Sequence, residues 1–453
     1  MTAEQKNSLR IGIIGAGLGG LMAGIAIAEA GGNVTILEAA SELGEIGAGI
    51  QMTPNAARLL HRYGIEKVVG DNLVRNKELH IRTKEGKQVG FVKIEGMEEA
   101  SGGEWWLVHR YDPVNISNWL GKSNRFGKDT ISIKVISLNY KDPTKPLVVT
   151  TKSSQYTFDL VLGADGVNGM TRKTLFPNAA SPFPPRNNAA FRATVPASRL
   201  REDPDTKDMV DNMGINAWMG PSAYAIIYPI SGGEVINVVL SHTTTIPLLN
   251  VEAVEHDQIE RQYSDFEVRV RKVVGMIDQP VKRWPLLVTH LERWSSDCRR
   301  VVLMGDAAHS MVNHMAQGAA TAMEDAVFLS VLLKPMIDNV EDAMGLYRAI
   351  ELYEKERMPV VKMKQEASNR NGWIMHLSGV LAVIRNVVMR IEWRYPNLLG
   401  AQNLMRSVYR YDAAVHADRV VKDEKLRMAR KEAGALYSGG GMWWSDLLGW
   451  FWR

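Results

Sequence analysis

The feature that most constrains the fold is a glycine-rich turn placed between an apolar strand and a helix. Residues 11–14 form a short apolar run, and the six residues after them fit the pattern G-x-G-x-x-G. Gly15 permits the tight turn, Gly17 lets the backbone approach a pyrophosphate, and Gly20 allows helix and strand to pack closely. A helical pattern follows over 21–30. The sequence therefore predicts the βαβ opening of a Rossmann-type lobe.

A carboxylate follows the second strand of this opening. The apolar run 34–37 is followed directly by Glu38, which lies 18 residues beyond Gly20. A carboxylate at this place accepts hydrogen bonds from the ribose of an adenosine. A glycine turn without a ligand is the alternative interpretation, and the motif alone does not separate NAD from FAD.

The chain has 453 residues, which is more than one hydrophobic core usually serves. Its middle is rich in β-forming residues between Pro/Gly turns, whereas the part from 301 onward returns to a strand and long helical patterns. We predict an α/β fold with a discontinuous first lobe. The predicted parts are 1–180 (first lobe), 181–284 (β-rich substrate lobe), 285–370 (first lobe again) and 371–453 (C-terminal helical region), with 76–100 as an alternative contribution to the β-rich lobe.

Composition excludes several classes of protein. Lys and Arg number 54 against 50 Asp and Glu, without a long basic run, so we predict no nucleic-acid partner. The single cysteine, Cys298, cannot form an internal disulfide. The first residues are polar, and the apolar stretch 377–389 is interrupted by Arg385 and is too short to span a bilayer. We therefore predict a cytoplasmic protein. We also predict no metal site.

Two later motifs decide between the dinucleotides. Residues 159–166 read Asp-Leu-Val-Leu-Gly-Ala-Asp-Gly, and residues 300–309 read Arg-Val-Val-Leu-Met-Gly-Asp-Ala-Ala-His. They resemble the second and third signatures of the flavoprotein aromatic hydroxylases. Further segments match in the family's order: 47–55, His109-Arg110, Arg172, Phe191-Arg192, Gln317-Gly318, 324–326 and 409–412. The chain most resembles salicylate-hydroxylase-like enzymes, a group that includes many fungal secondary-metabolite monooxygenases.

The resemblance implies that FAD occupies the glycine-rich site permanently. The residues that it assigns to FAD are Gly15, Gly17, Gly20, Glu38, Ala48, Gly49, Arg110, Asp165, Asp306, Gly318 and Ala319. Asp306 would accept a hydrogen bond from the ribityl chain. The helix that begins near Gly318 would aim its amide groups at the flavin ring and stabilise negative charge there.

Structural roles remain as alternatives for several of these residues. Arg110 could form a surface ion pair, and Asp165 could pair with Arg172 only to tie its own loop. For His309 we favour a structural role over a catalytic one.

The resemblance also indicates a substrate site under the β-rich lobe. Arg192, on a predicted strand of that lobe, would hold a substrate carboxylate or phenolate, or donate toward the flavin hydroperoxide. Tyr224 and Tyr228 are the companion candidates for hydrogen bonds to a substrate oxygen. The alternative for the tyrosines is packing, because buried tyrosines in sheets commonly have one satisfied hydroxyl.

The implied activity is that of a monooxygenase. NAD(P)H would bind transiently and reduce FAD, O2 would form a flavin C4a-hydroperoxide, and one oxygen atom would pass to a small aromatic or phenolic substrate. One alternative is an epoxidase of an isoprenoid or other secondary-metabolite intermediate. Another is a flavin-bound redox or binding protein without oxygen transfer.

The sequence departs from the family's pattern at four places. Arg110-Tyr-Asp-Pro113 brings a proline into a first helical turn, and the stretch before the predicted strand 131–136 is short. Gly169 replaces the usual serine. Asn313 replaces a proline beside the flavin, which removes a rigid wall there.

Aromatic residues crowd the C-terminus. The large apolar residues there are Trp443, Trp444, Leu447, Leu448, Trp450, Phe451 and Trp452. Such a run suits a peripheral membrane or partner contact. The alternative is that this tail covers the protein's own core.

Overall fold

A computed structural model describes residues 9–41, 49–109, 132–142, 144–145, 147–339, 342, 344–395, 398 and 401–439. The strands are β1 Arg10–Ile14, β2 Asn33–Leu37, β3 Gly49–Met52, β4 Val74–Arg75, β5 Glu78–Thr83, β6 Gln88–Lys93, β7 Trp106–His109, β8 Val135–Asn139, β9 Leu147–Thr151, β10 Gln155–Phe158, β11 Leu160–Gly163, β12 Asn188–Pro196, β13 Ile215–Gly220, β14 Ala223–Ile230, β15 Val235–Thr243, β16 Glu252–Val254, β17 Val281–Pro285 and β18 Val301–Leu303.

The α-helices are α1 Leu18–Glu29, α2 Pro54–Arg62, α3 Ile65–Val69, α4 Ile94–Ser101, α5 Met170–Leu175, α6 Ala197–Glu202, α7 Asp208–Asp211, α8 His256–Gln262, α9 Val268–Gly275, α10 Asp306–His309, α11 Gly318–Asp338, α12 Gly345–Met375, α13 Gly379–Arg394, α14 Ala401–Arg410 and α15 Ala413–Gly439.

A parallel sheet forms the centre of the first lobe. Its strand order is β18-β11-β1-β2, and every neighbouring pair is parallel. Strands β11 and β18 are buried along their whole length, which suits the apolar runs predicted from the sequence. Helix α1 is buried along nearly all of its length because it lies between this sheet and α11.

The second layer is an eight-stranded sheet with the order β16-β17-β12-β15-β14-β13-β5-β6. Strands β12, β15 and β14 form its antiparallel centre. One face covers an apolar cluster that includes Trp218, Tyr263 and Val270. The other face turns toward the first lobe and the C-terminal helices, and this face carries the candidate substrate residues. Strands β5 and β6 join the sheet through a parallel pairing of β5 with β13.

The predicted fold class is confirmed: a Rossmann-type lobe, an inserted sheet and a C-terminal helical region. The strand predicted at 131–136 is placed too early, since β8 begins at Val135 and pairs with β9 from there. Residue 131 lies outside the described residues. The domain boundaries stay a prediction.

Candidate functional site

A cleft of about 900 Å³ crosses the carboxyl ends of β1, β2 and β11 and reaches the eight-stranded sheet. In open parallel sheets, ligands bind in such a crevice outside the carboxyl ends of the strands. The cleft is lined by six of the predicted site residues and by two of the positions that depart from the family's pattern: Gly15, Gly17, Glu38, Asp165, Arg192 and Asp306, with Gly169 and Asn313. The cleft therefore brings the dinucleotide motif and Arg192, one of the three candidate substrate residues, into one continuous space.

The three glycines of the motif are subject to different steric constraints. Gly15 has φ +103°, and a Cβ atom built there would lie 2.5 Å from the carbonyl oxygen of Ala164. A Cβ atom on Gly20 would overlap the carbonyl oxygen of Gly15. On Gly17 it would meet no atom within 4 Å. Gly15 and Gly20 are thus required by the fold, whereas Gly17 leaves open space for a ligand.

Glu38 holds the end of β2 close to the glycine turn. Its Oε2 accepts a hydrogen bond from the amide of Ala16 at 2.6 Å, and its Oε1 accepts one from the amide of Ala40 at 2.8 Å. Each carboxylate oxygen keeps a further acceptor site. The side chain is positioned by the fold at the edge of the cleft, where a ribose hydroxyl would reach it.

Asp165 has one satisfied oxygen and one that lacks a partner. Its Oδ2 accepts hydrogen bonds from the amide and the hydroxyl of Thr171 at 2.8 and 2.9 Å. Its Oδ1 is buried and has no hydrogen-bond partner among the described residues. Burial raises the pKa of this carboxyl. Arg172 donates instead to the carbonyl of Val167, so the hydrogen bonds of Asp165 tie it to Thr171 rather than to Arg172.

Asp306 lies at the first residue of α10, and its side chain is exposed in the cleft. It lies near the start of α11, since a Cβ built on Gly318 would be 4.0 Å from Asp306 Oδ1. The first turn of α11 has no side-chain cap, so its amide groups are available to a ligand. Gly318 and Ala319 occupy this turn.

A buried hydrogen-bond network, which sequence reasoning missed, fixes the beginning of α11. Gln317 donates to the hydroxyl of Thr53 at 2.9 Å and accepts from Asn55 at 3.0 Å. Asn55 also donates to Glu324, about two helical turns further along α11, at 2.7 Å. Segment 47–55, which matches the flavoprotein aromatic hydroxylases, therefore has a structural role. Its residues Thr53 and Asn55 hold the beginning of α11.

Charged side chains are buried between α11 and α12. Arg357 donates to Asp325 at 2.9 Å and to Glu324 at 3.0 Å, and Lys364 donates to Glu324 at 2.5 Å. His309 contacts Asp325 at 2.6 Å. Burial opposes ionisation of Asp325, but the charges of His309 and Arg357 lower its pKa to about 2. His309 thus belongs to this network, which agrees with the structural role favoured above.

Two predicted FAD contacts, Ala48 and Arg110, lie outside the described residues. Gly49 begins β3, and its amide donates to Asn237 Oδ1 at 2.7 Å. A Cβ atom on Gly49 would lie 2.6 Å from Asn237 Cγ. This contact joins the first lobe to the face of the large sheet that carries the candidate substrate residues, and a role for Gly49 toward FAD stays a prediction.

Arg192, Tyr224 and Tyr228 share that face. Arg192 on β12 is in register with Val239, which is in register with Ile226 on β14. Residues at alternate positions of a strand point to the same face, so the two tyrosines flank the row that contains Arg192. Arg192 also lines the cleft.

Tyr224 is the centre of a buried hydrogen-bond chain. Its hydroxyl lies 2.8 Å from His314 Nδ1 and 3.3 Å from Asn313 Oδ1, and Asn188 Nδ2 lies 3.4 Å from His314 Nε2. With Asn188 as donor, the neutral imidazole donates to Tyr224, whose hydroxyl then donates to Asn313. The chain ends in the cleft, because Asn313 lines it.

The environment keeps both ring systems of this chain uncharged. Burial lowers the pKa of His314 to about 3, with a smaller contribution from His376, and burial raises the pKa of Tyr224 to about 12. Sequence reasoning missed His314, because one histidine inside a motif gives no signal of its partners.

Tyr228 occupies different surroundings. It is 3% exposed and packs in an apolar cluster with Trp105, Leu107 and Met315. Tyr228 is not one of the described residues that line the cleft. The structure therefore brings Arg192 and, through Asn313, Tyr224 to the cleft, while Tyr228 packs beside them.

Comparison with known proteins assigns the chain to a family. The family model described as "FAD binding domain" matches residues 8–368. The chain is 28% identical over 438 residues to the FAD-dependent monooxygenase OpS4 of Beauveria bassiana, covering 93% of this chain and 99% of that protein. It is 30% identical over 411 residues to a 3-hydroxybenzoate 6-hydroxylase of Polaromonas naphthalenivorans, covering 87% and 97%.

Solved structures give the same fold. A salicylate hydroxylase in complex with its substrate has a TM-score of 0.73 at 20% identity and covers 91% of this chain and 98% of its own. CtdE, solved with FAD and a substrate, has a TM-score of 0.77 at 18% identity and covers 93% and 100%. The resemblance stated from the motifs is confirmed, and the chain belongs to the FAD-binding-domain family of flavoprotein monooxygenases.

Proposed function

We propose that the protein is an FAD-dependent monooxygenase that uses NAD(P)H and O2 to hydroxylate a small aromatic or phenolic substrate. The observation that carries this proposal is the single cleft that joins the glycine turn to Arg192 and Asn313. The relatives named as FAD-dependent monooxygenases and as 3-hydroxybenzoate 6-hydroxylases support it.

The residues present fit FAD. Gly17 leaves room for a pyrophosphate, and Asp165 presents a buried oxygen without a partner among the described residues. Glu38 and Asp306 line the same cleft, and the first turn of α11 lies near Asp306. When bound, FAD would supply the electron transfer from NAD(P)H and the activation of O2.

The protein's own residues would bind and orient the substrate. Arg192 would supply a fixed positive charge for a carboxylate or a phenolate. Asn313, held by Tyr224, would present its amide donor toward the cleft while its carbonyl oxygen accepts from the tyrosine. Because the hydroxyl of Tyr224 fixes Asn313, the loss of the family's proline at this place is offset by a hydrogen bond to the sheet.

Turnover with a panel of substrates tests the proposal. Aromatic acids and phenols should stimulate NAD(P)H oxidation by the FAD-loaded enzyme, and 18O2 should place one labelled oxygen in the product. An isoprenoid alkene converted to its epoxide, with no hydroxylated phenol, would replace the proposal by the epoxidase alternative. NAD(P)H oxidation that no substrate in either class stimulates would favour a flavin protein without oxygen transfer.

A further inference from the structure

Helix α13 carries its apolar side chains on the outside of the protein. Large apolar residues are exposed along it: Val380, Leu381, Val383, Ile384, Val387 and Ile391. Val380 is 75% exposed and Val383 is 61% exposed. At 100° per residue these six positions cover about 160° of the helix circumference, so they form one continuous surface. We call these six residues the α13 apolar face.

The inner side of the same helix includes two buried charged residues. Arg385 is 7% exposed and donates to the carbonyls of Ile374 and Met375 at the end of α12, at 3.0 and 3.1 Å. Glu392 is 6% exposed. A surface helix of a globular protein normally buries its apolar stripe and exposes its charges. Here two charged residues are buried while six large apolar residues are exposed, and a large exposed apolar patch of this kind indicates an interaction surface.

The charges around the face indicate the partner. Glu392 is the one acidic residue in the sequence of α13, and it is buried, whereas Arg394 is exposed and Arg390 is half-buried. The aromatic side chains of Trp373 and Tyr395 are exposed near the two ends of the helix. Apolar side chains bordered by arginines and by aromatic rings with polar edges suit the interface of a membrane with anionic lipids.

The helix is suited to lie on a membrane rather than across it. Its 16 residues span about 24 Å, less than the roughly 30 Å of a hydrocarbon core. Among the described residues, no single helix is long and apolar enough to cross a membrane, and the pair α12 and α13 meets the test only when both are taken together across a 110° bend. We propose that the α13 apolar face docks the protein onto an anionic lipid surface.

A second copy of the chain fits this face less well. A two-fold interface places the same patch of both copies in contact. It would bring the two Arg394 side chains onto one apolar surface, and α13 has no exposed acid to pair with them. An anionic headgroup supplies that charge.

Vesicle flotation of the full-length, FAD-loaded protein tests the proposal. The protein should float with vesicles of phosphatidylcholine and phosphatidylserine, and more weakly with phosphatidylcholine alone. The double variant Ile384→Asp/Val387→Asp should lower the partition coefficient at least about tenfold, because two side chains that enter the lipid become charged. Arg394→Glu should weaken binding mainly to the vesicles that contain phosphatidylserine.

A matched control uses two exposed apolar residues elsewhere. Ile246→Asp/Leu249→Asp changes side chains that are 74% and 55% exposed, and it should float like the parent protein. Equal FAD content and melting temperature of both double variants would show that they are folded.

Three outcomes would overturn the proposal. The first is a parent protein that floats with neither kind of vesicle. The second is a parent dimer that the α13 variant converts to monomer without any vesicle binding, which would make this face a contact between copies. The third is flotation that survives Ile384→Asp/Val387→Asp but is lost when residues 440–453 are removed, which would assign membrane binding to the tail.

Discussion

At the scale of single residues, the fold and the cofactor place different requirements on the glycines of the turn. A methyl group on Gly17 meets no atom within 4 Å, and Gly17 has φ −67°, so Gly17→Ala should change the free energy of unfolding by less than about 0.5 kcal/mol. It should nevertheless weaken FAD binding about tenfold or more, since the pyrophosphate must approach that backbone. Thermal unfolding of the FAD-free protein and a flavin titration measure the two effects.

Gly20→Ala is the matched comparison. Its methyl group would overlap the carbonyl oxygen of Gly15, so it should cost about 1–3 kcal/mol of stability or more before any cofactor is added. If both variants lose stability equally, Gly17 is needed by the fold and the open space beside it is not a ligand site.

Arg192 should affect the substrate and not FAD content. Its planar guanidinium offers paired donors that lysine cannot reproduce. Arg192→Lys should lower kcat/KM for a carboxylate or phenolate substrate about tenfold to a hundredfold, the equivalent of about 1.5–3 kcal/mol for a hydrogen bond to a charged group. Steady-state kinetics and the flavin spectrum test this, with the exposed Arg199→Lys as control. Normal turnover in Arg192→Lys would remove Arg192 from the site.

At the scale of elements, the position of α11 depends on its buried hydrogen bonds. Gln317→Ala removes the partners of Thr53 and Asn55 in a fully buried place, which should cost about 1–3 kcal/mol of stability. FAD affinity should fall as well, because the first turn of α11 loses its anchor. Denaturant unfolding and flavin titration measure both.

The control for this variant is Gln279→Ala, which removes two hydrogen bonds to Thr194 at an exposed position and should leave both quantities close to those of the parent. A Gln317→Ala protein with unchanged FAD affinity would show that α11 is positioned by its apolar contacts alone.

Secondary-structure elements were easier to predict from the sequence than contacts between residues far apart in the chain. The βαβ opening follows from apolar runs, and β14 and β15 lie in the part of the chain predicted to be β-rich, 181–284. The Tyr224 to His314 contact joins residues 90 positions apart, so no local pattern indicates it. The exposed apolar face of α13 was also missed, because the period of an amphipathic helix does not say which side faces the protein.

At the scale of the whole molecule, buried histidines should make stability depend on pH. Burial lowers the pKa of His314 to about 3 and that of His242 to about 4, and the pKa values of His376 and His416 are lowered too, chiefly by burial. The unfolded chain therefore binds more protons below about pH 6.5. Stability should be full above that pH and fall toward pH 4, with a slope that approaches about 1.4 kcal/mol per pH unit for His314 and the same for His242.

Denaturant unfolding between pH 7 and 4.5 measures this slope. His314→Gln should reduce it by about one proton, whereas the surface variant Arg199→Gln should leave it unchanged. A His314→Gln slope equal to that of the parent would mean that His314 is protonated in the folded protein.

The cofactor itself provides the most direct test of the account. The purified protein is expected to carry a yellow flavin. Chromatography of the cofactor released by denaturation should identify FAD at about one per chain, because Glu38, Asp306 and the open space at Gly17 lie along one cleft that suits an adenine dinucleotide. Release of FMN, or a folded chain that neither contains nor takes up FAD, would contradict the account.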